Sequence, residues 1–323
     1  MADTRPIERS ATAAGEPDDA DEASRRPATA LFAYALLLAT TLSWAGNSIA
    51  GRMAAGDISP LLLTSLRWGA ALAIVLPFAW PHLRHDRATV VSNWKQLALL
   101  GITGFTLFNV LLYTALSMTT AVNVVLIQAA MPALIFLINF ALYRTRVLAL
   151  QVVGFGISIV GVALVVLGGE AGLGAIGPGE AIMVLGAFVY AAYTVAVAFK
   201  PAMHWLSSIS VMGGFAFLAS LPFAAWEVAS GRAIWPDGSG DALLILYTAL
   251  FPSLVAQICF MRGVDLIGSN RAGLFVNLVP VMGTLMAVII LGEAFGVHHA
   301  IALALATGGV ALAEWGVRRR AAT

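Results

Sequence analysis

The chain has 323 residues; 60 % are apolar, only 11 % are charged, and the formal net charge is +1. A water-soluble domain is nearer to roughly 45–50 % apolar and about 25 % charged. This balance excludes a soluble domain, a disordered chain and a nucleic-acid binder, and it points to a polytopic helical membrane protein.

Residues 1–28 read as a disordered cytoplasmic tail: acidic from Glu16 to Glu22, otherwise Ala, Thr, Arg and Pro, with no apolar stretch that would make a signal peptide. From Ala30 apolar blocks follow one another, each of about 20 residues, the length that crosses roughly 30 Å of hydrocarbon as a helix. They predict spans at 30–50, 60–80, 95–116, 120–143, 148–167, 179–199, 207–229, 242–261, 270–291 and 298–317. β-barrel strands would be about ten residues long and strictly alternating. The expected fold class is therefore an all-α integral membrane protein with ten transmembrane helices.

Lys and Arg orient the spans. With the N-terminus in the cytoplasm, the inner segments hold 15 of the 18 basic residues, the outer ones only Arg52 and Arg232, and Arg67 lies within span 2. Both termini are expected to be cytoplasmic. The single cysteine, Cys259, excludes a disulfide framework and a Cys-based metal site; in its apolar setting it reads as a small buried hydrophobe.

The two halves are related. With Pro132 placed on Pro280, an offset of 148, Asn109 falls on Gln257 and Gly104 on Pro252. At an offset of 146, Trp44, Asn47 and Ser48 meet Tyr190, Tyr193 and Thr194. Each half holds five spans, and an odd number turns the second half upside down relative to the first. Inverted repeats of this kind are a mark of secondary transporters.

The chain resembles the drug/metabolite transporter superfamily in its EamA-like branch of ten-helix carriers. The resemblance rests on Ser43-Trp44-Ala45-Gly46-Asn47, on Leu66-Arg67-Trp68, on the paired Pro132 and Pro280, and on Leu291-Gly292-Glu293. It implies a first repeat at 29–168, a linker at 169–178, a second repeat at 179–317 and a basic cytoplasmic tail at 318–323. It also implies a metabolite carrier, often an exporter. Where the family pattern places a Gly-Glu pair at the end of span 4, this chain has Tyr143-Arg144-Thr145.

Polar side chains inside lipid are costly and usually face the bundle interior. Trp44, Asn47 and Ser48 share one face of span 1, and Tyr190, Tyr193 and Thr194 repeat that spacing on span 6. Asn109 and Tyr113 share a face of span 3; Gln257 is the repeat partner of Asn109. Gln128 and Asn139 lie on one face of span 4, and Asn270, Asn277 and Thr284 form a stripe on span 9. Of these, Trp44, Asn47, Asn109, Tyr113, Gln128, Tyr190, Tyr193, Gln257 and Asn277 are the candidate substrate contacts. Aromatic rings beside amides and hydroxyls suit an amphipathic solute. The competing explanation is interhelical hydrogen bonding.

Arg67 either binds a substrate carboxylate or serves as a structural post on helix carbonyls. The resemblance implies the structural role, because the family commonly carries Arg here whatever the substrate. Glu180 at the start of span 6 reads as a helix-cap charge. Glu293, at a helix C-terminus, needs a partner or a proton and is a candidate for coupling. Glu314 is expected to pair with Arg318-Arg319-Arg320. His298-His299 are adjacent and point apart, so no metal site is expected, and no GxxxxGK loop is present to bind ATP. No cofactor is expected.

The sequence thus reads as a secondary carrier, not an enzyme, in a bacterial-type inner membrane. It is expected to move a small metabolite, an amino acid or a related amphipathic solute, by alternating access, with export favoured. Its partners are the lipid bilayer and a small-molecule substrate, and a homo-oligomer is compatible with the sequence. One alternative is a drug or quaternary-amine exporter, which would want an acidic residue at mid-span. The others are a membrane-embedded enzyme, a sensor or a channel.

Overall fold

The computed structural model describes residues 19–144, 148–167 and 176–321. The described secondary structure is helical throughout. Among the described residues, ten helices are long and apolar enough to cross a membrane: α1 (Thr29–Met53), α2 (Pro60–His85), α3 (Trp94–Leu116), α4 (Ala121–Tyr143), α5 (Ala149–Leu167), α6 (Pro178–Val197), α7 (Trp205–Ala229), α8 (Ser239–Ile267), α9 (Arg271–Leu291) and α10 (Val297–Gly316). The expected spans match these helices within a few residues, except that α2 continues through Pro77 and Pro81 to His85 and α8 runs on to Ile267.

One expectation is corrected at the N-terminus. The helix that contains α1 begins at Asp19, so residues 19–28 are not a disordered tail. Asp19, Asp21 and Glu22 stand at the N-terminal end, where the helix dipole favours negative charge, and a helix already nucleated by α1 is extended at low cost. The expected linker falls largely on 168–175, outside the described residues.

Contacts between helix ends define two ends of the bundle. At one, Arg52 reaches Leu116 O, Glu293 reaches the start of α4, Glu227 reaches the start of α2, and Ile234 N donates to Ser59. At the other, Gln96 donates to Phe199 O, His204 N donates to Asp86, and Tyr143 meets Phe199. The second end carries Arg84, Lys95, Lys200 and Arg262 and is called the basic end; the first is the far end.

Two irregularities occur in both halves of the chain. Gly101–Leu107 in α3 and Phe251–Val255 in α8 are π-helical, a wide turn often found at functional sites. α4 is broken at Ala129-Ala130 and α9 at Asn277-Leu278, 148 residues apart. Each break is followed by a half-helix with proline near its start, Pro132 and Pro280. Proline suits that position, and its missing N–H removes the donor that would have bonded the carbonyl of Gln128 or Val276.

The same register explains an ending. Gly292 closes α9 in the left-handed region (φ 66°), where glycine is unhindered. Its counterpart closing α4 is Arg144, which takes φ 49° despite its side chain.

Packing is uneven along the membrane normal. The largest core, including Ile49, Leu63, Leu112, Leu116, Val122 and Leu126, lies in the far half. There the first half of α4 packs on the last half of α9. The basic-end halves of these helices pack instead on α6 and on α8 and are parted from each other. α5 and α10 approach closely through Gly154 and Gly309; a Cβ on Gly154 would sit 2.4 Å from Gly309 O.

Candidate substrate cavity

The gap between the parted half-helices opens into a cavity of about 360 Å³ at mid-bundle. Such a volume suits a small molecule. It is bordered by both breaks and by both π-helical turns: Gly104, Phe105, Ala129, Pro132, Pro252, Ser253, Asn277 and Pro280 all line it. Irregular backbone at membrane depth belongs where it faces a cavity.

Eight of the nine candidate contacts line this cavity: Trp44, Asn47, Asn109, Gln128, Tyr190, Tyr193, Gln257 and Asn277. The repeat-related pairs Asn109 and Gln257, and Trp44 and Tyr190, thus share one space. Tyr113 does not line it. Its ring is 1 % exposed within the far-half core, and only its hydroxyl reaches the polar group above the cavity. The helical face was the right one, but the cavity ends one turn before it. Asn139 bonds its own helix at Ile135 O, and the side chain of Asn270 lies outside the described residues.

The ceiling toward the far end is polar. Arg67, 4 % exposed, donates from Nε to Ser253 Oγ at 2.9 Å. Its Nη1 shares two N–H groups among Asn47 Oδ1 at 3.0 Å, Asn109 Oδ1 at 2.5 Å and the Tyr113 hydroxyl at 2.7 Å. Tyr113 in turn donates to Asn47 Oδ1 at 2.9 Å. Four helices, α1, α2, α3 and α8, therefore meet on one guanidinium. Its acceptors are side-chain amides and hydroxyls rather than the helix carbonyls that were expected.

The walls are aromatic. Trp68 stacks on Phe105 with centroids 4.6 Å apart, Phe105 meets Tyr193 at 6.0 Å, Tyr193 meets Tyr190 at 5.5 Å, and Tyr190 meets Phe108 at 4.6 Å. Gly104 lets the Tyr193 ring lie against α3, since a Cβ there would be 2.4 Å from the ring. Trp44 and Phe260, 5.5 Å apart, form a second wall. Toward the basic end lie Thr194, Val310 and Asn277; Asn277 donates to Glu314 Oε1 at 2.7 Å. The expected arginine partners of Glu314 have side chains outside the described residues.

Carboxylates bind the far end together. Glu293 accepts the N–H groups of Ala121 at 2.8 Å and Val122 at 2.9 Å, while Thr120 accepts that of Asn123. All three leading donors of α4 are thereby satisfied. Arg52 Nε stands 3.5 Å from Glu293. The partner that Glu293 requires is thus a helix N-terminus with an arginine beside it. Glu180 accepts from Thr119 and from Asn123 Nδ2, and Asn123 Oδ1 meets His299 Nε2 at 3.2 Å. Glu227 accepts from Leu62 N at 2.9 Å.

Sequence reasoning did not find Ser253, Glu227 or the walls Phe105, Phe108 and Trp68 as site residues. Ser253 carries a signal, a mid-span hydroxyl beside a proline; buried phenylalanines carry none that separates them from core.

These features define a polytopic helical membrane protein with a polar and aromatic cavity at mid-depth, the architecture of a small-solute transporter. The model of the EamA-like transporter family matches twice, over residues 31–167 and 177–315, and the chain belongs to that family. It is 25 % identical over 278 residues to an uncharacterized transporter, YetK, of Bacillus subtilis, across 84 % of each chain. It is 25 % identical over 292 residues to the uncharacterized transporter YyaM of the same organism, covering 88 % of this chain and 94 % of the relative. It is 26 % identical over 286 residues to an uncharacterized transporter of Archaeoglobus fulgidus, covering 86 % and 96 %. A solved crystal structure shares the fold with a TM-score of 0.60 and 22 % identity, over 91 % of this chain and 98 % of that one.

Proposed function

We propose that this membrane transporter is a secondary carrier for an amino acid or a related small amphipathic solute, working by alternating access between two inverted five-helix repeats. The observation that carries the reading is the uneven seal. The cavity is closed at the far end by the Arg67 group and the packed core, while toward the basic end the half-helices beyond both breaks stand apart. A carrier needs this geometry in each of its end states. The breaks at 129–130 and 277–278 are where the half-helices would swing.

By the distribution of Lys and Arg the basic end faces the cytoplasm, both termini with it, and the membrane is the inner one. The direction we propose is export, as the family resemblance implies. A cationic drug as substrate is disfavoured, because among the described residues the cavity lining holds Arg67 and no Asp or Glu.

The experiment is counterflow into proteoliposomes with a panel of labelled amino acids, sugars and amines. Accumulation of one class is expected, and Thr307→Trp, which puts an indole into the cavity from α10, should abolish it. Flux that Thr307→Trp leaves intact would reject this cavity as the path. Steady ion currents without counterflow would show a channel instead.

A further inference from the structure

We propose that the cavity selects solutes that carry a carboxylate, amino acids among them, with that group received by Nη2 of Arg67 and the apolar body by the aromatic walls. The inference rests on the carrier reading above and names the substrate class of that site.

Arg67 is a full positive charge buried at membrane depth, and its acceptors are all neutral: one serine, one tyrosine and two asparagines. Among the described residues no Asp or Glu lines the cavity, and the ion pair of Arg52 with Glu293 is at the far end. The four acceptors orient the guanidinium and solvate part of it, but dipoles do not neutralise it. An uncompensated cation in a medium of low dielectric favours an anion strongly and repels a second cation.

The network also leaves one nitrogen unused. Nε and Nη1 are engaged, whereas Nη2 has no hydrogen-bond partner among the described residues. Nor is Nη2 among the sealed polar atoms without partners, and Arg67 lines the cavity. Gln257 lines the same cavity one turn along α8 from Ser253, and its amide is likewise without a partner among the described residues. The pair offers N–H donors from a guanidinium and an amide, a combination suited to the two oxygens of one carboxylate. Holding Arg67 by four neighbours means that it does not have to be ordered when substrate arrives. The structural post and the anion site are then one residue with two edges. Beyond the polar ceiling, Tyr190, Tyr193, Trp44 and Phe260 present ring faces to whatever the carboxylate carries.

The test uses the full-length protein in nanodiscs and three probes with one body: 3-phenylpropionate, 3-phenylpropionamide and 3-phenylpropylamine, with acetate as a head group alone. Calorimetric titration should show the carboxylate binding at least tenfold tighter than the amide, the amine weakest, and acetate far weaker than phenylpropionate. No variant is needed for this comparison, so a folding defect does not obscure it. An amide that equals the carboxylate, an amine that exceeds it, or no binding by any of the three overturns the anion assignment. Repeating the titration on Thr307→Trp separates the two claims. Binding that is lost there keeps the cavity as the site whatever its charge preference; binding that persists places the ligand elsewhere and removes both readings.

Discussion

Glu293 gives the sharpest test of how the far end is held shut. Its carboxylate takes both N–H groups at the start of α4, at 2.8 and 2.9 Å, and its side chain is only 10 % exposed. Glu293→Gln keeps the shape but removes the charge and replaces one acceptor oxygen by a donor facing an N–H. Hydrogen bonds to a charged group contribute about 1.5–3 kcal/mol each, and the favourable charge at a helix N-terminus adds about 0.3–1 kcal/mol. Allowing for the bond that the glutamine oxygen retains, the closed far end should lose about 2 kcal/mol, a shift of about 30-fold in its equilibrium with the open form. The assay is thiol labelling of Gln257→Cys in a Cys259→Ala background, in sealed vesicles with an impermeant reagent confined to the far side. Labelling should accelerate about 30-fold when Glu293→Gln is added. The same register predicts that Thr145→Glu, which restores a carboxylate 148 residues before Glu293, favours opening of the far end. Labelling rates within twofold of each other in the presence and absence of Glu293→Gln would refute the reasoning: the carboxylate would then cap a helix without holding a gate.

Arg144→Gly relieves a left-handed residue and should raise the melting temperature in detergent, by the equivalent of roughly 1 kcal/mol. Gly154→Leu should part α5 from α10 and lower it, at a cost of about 1–3 kcal/mol, whereas Gly156→Leu, whose Cβ meets nothing within 4 Å, should not. Asp86 is held below its ordinary carboxylate value chiefly by the Ser207 hydroxyl nearby, and it accepts His204 N at 3.0 Å. A depressed carboxylate stabilises the fold above its unfolded value of 3.8 and loses that effect as pH falls through the lower folded value, so Asp86→Asn should flatten the acid limb of a stability profile below about pH 4. His204 is held below its ordinary 6.5 chiefly by burial, beside the His82 ring 3.6 Å away. Its neutral form stabilises the fold above 6.5 and the effect is lost as pH falls below it, so His204→Gln should remove a decline that begins there.

The ten spans were legible because lipid imposes a length and a composition that few other constraints imitate. Pro132 and Pro280 marked the breaks for a local reason, the missing N–H, and helical periodicity placed Trp44, Asn47, Tyr190 and Tyr193 on the faces that meet. A face, however, is not a depth. Asn109 and Tyr113 share one, yet the cavity stops between them, because where packing closes over a site depends on which helices converge there. Pattern alone also left Glu293 open between coupling and structure, since its partners, the N–H groups of Ala121 and Val122, lie 172 and 171 residues away in the chain.

Arg67 marks the boundary between the two kinds of information. The sequence by itself determined that a charge sits inside span 2 and that something must solvate it, because burying an ion has the same cost wherever its neighbours come from. Only the tertiary structure decided that those neighbours are Asn47, Asn109, Tyr113 and Ser253, drawn from three other helices, and that Nη2 is the nitrogen they leave without a partner among the described residues. Hydrogen bonds are satisfied within about 3 Å, and what lies within that distance of a side chain is set by how helices far apart in sequence pack together.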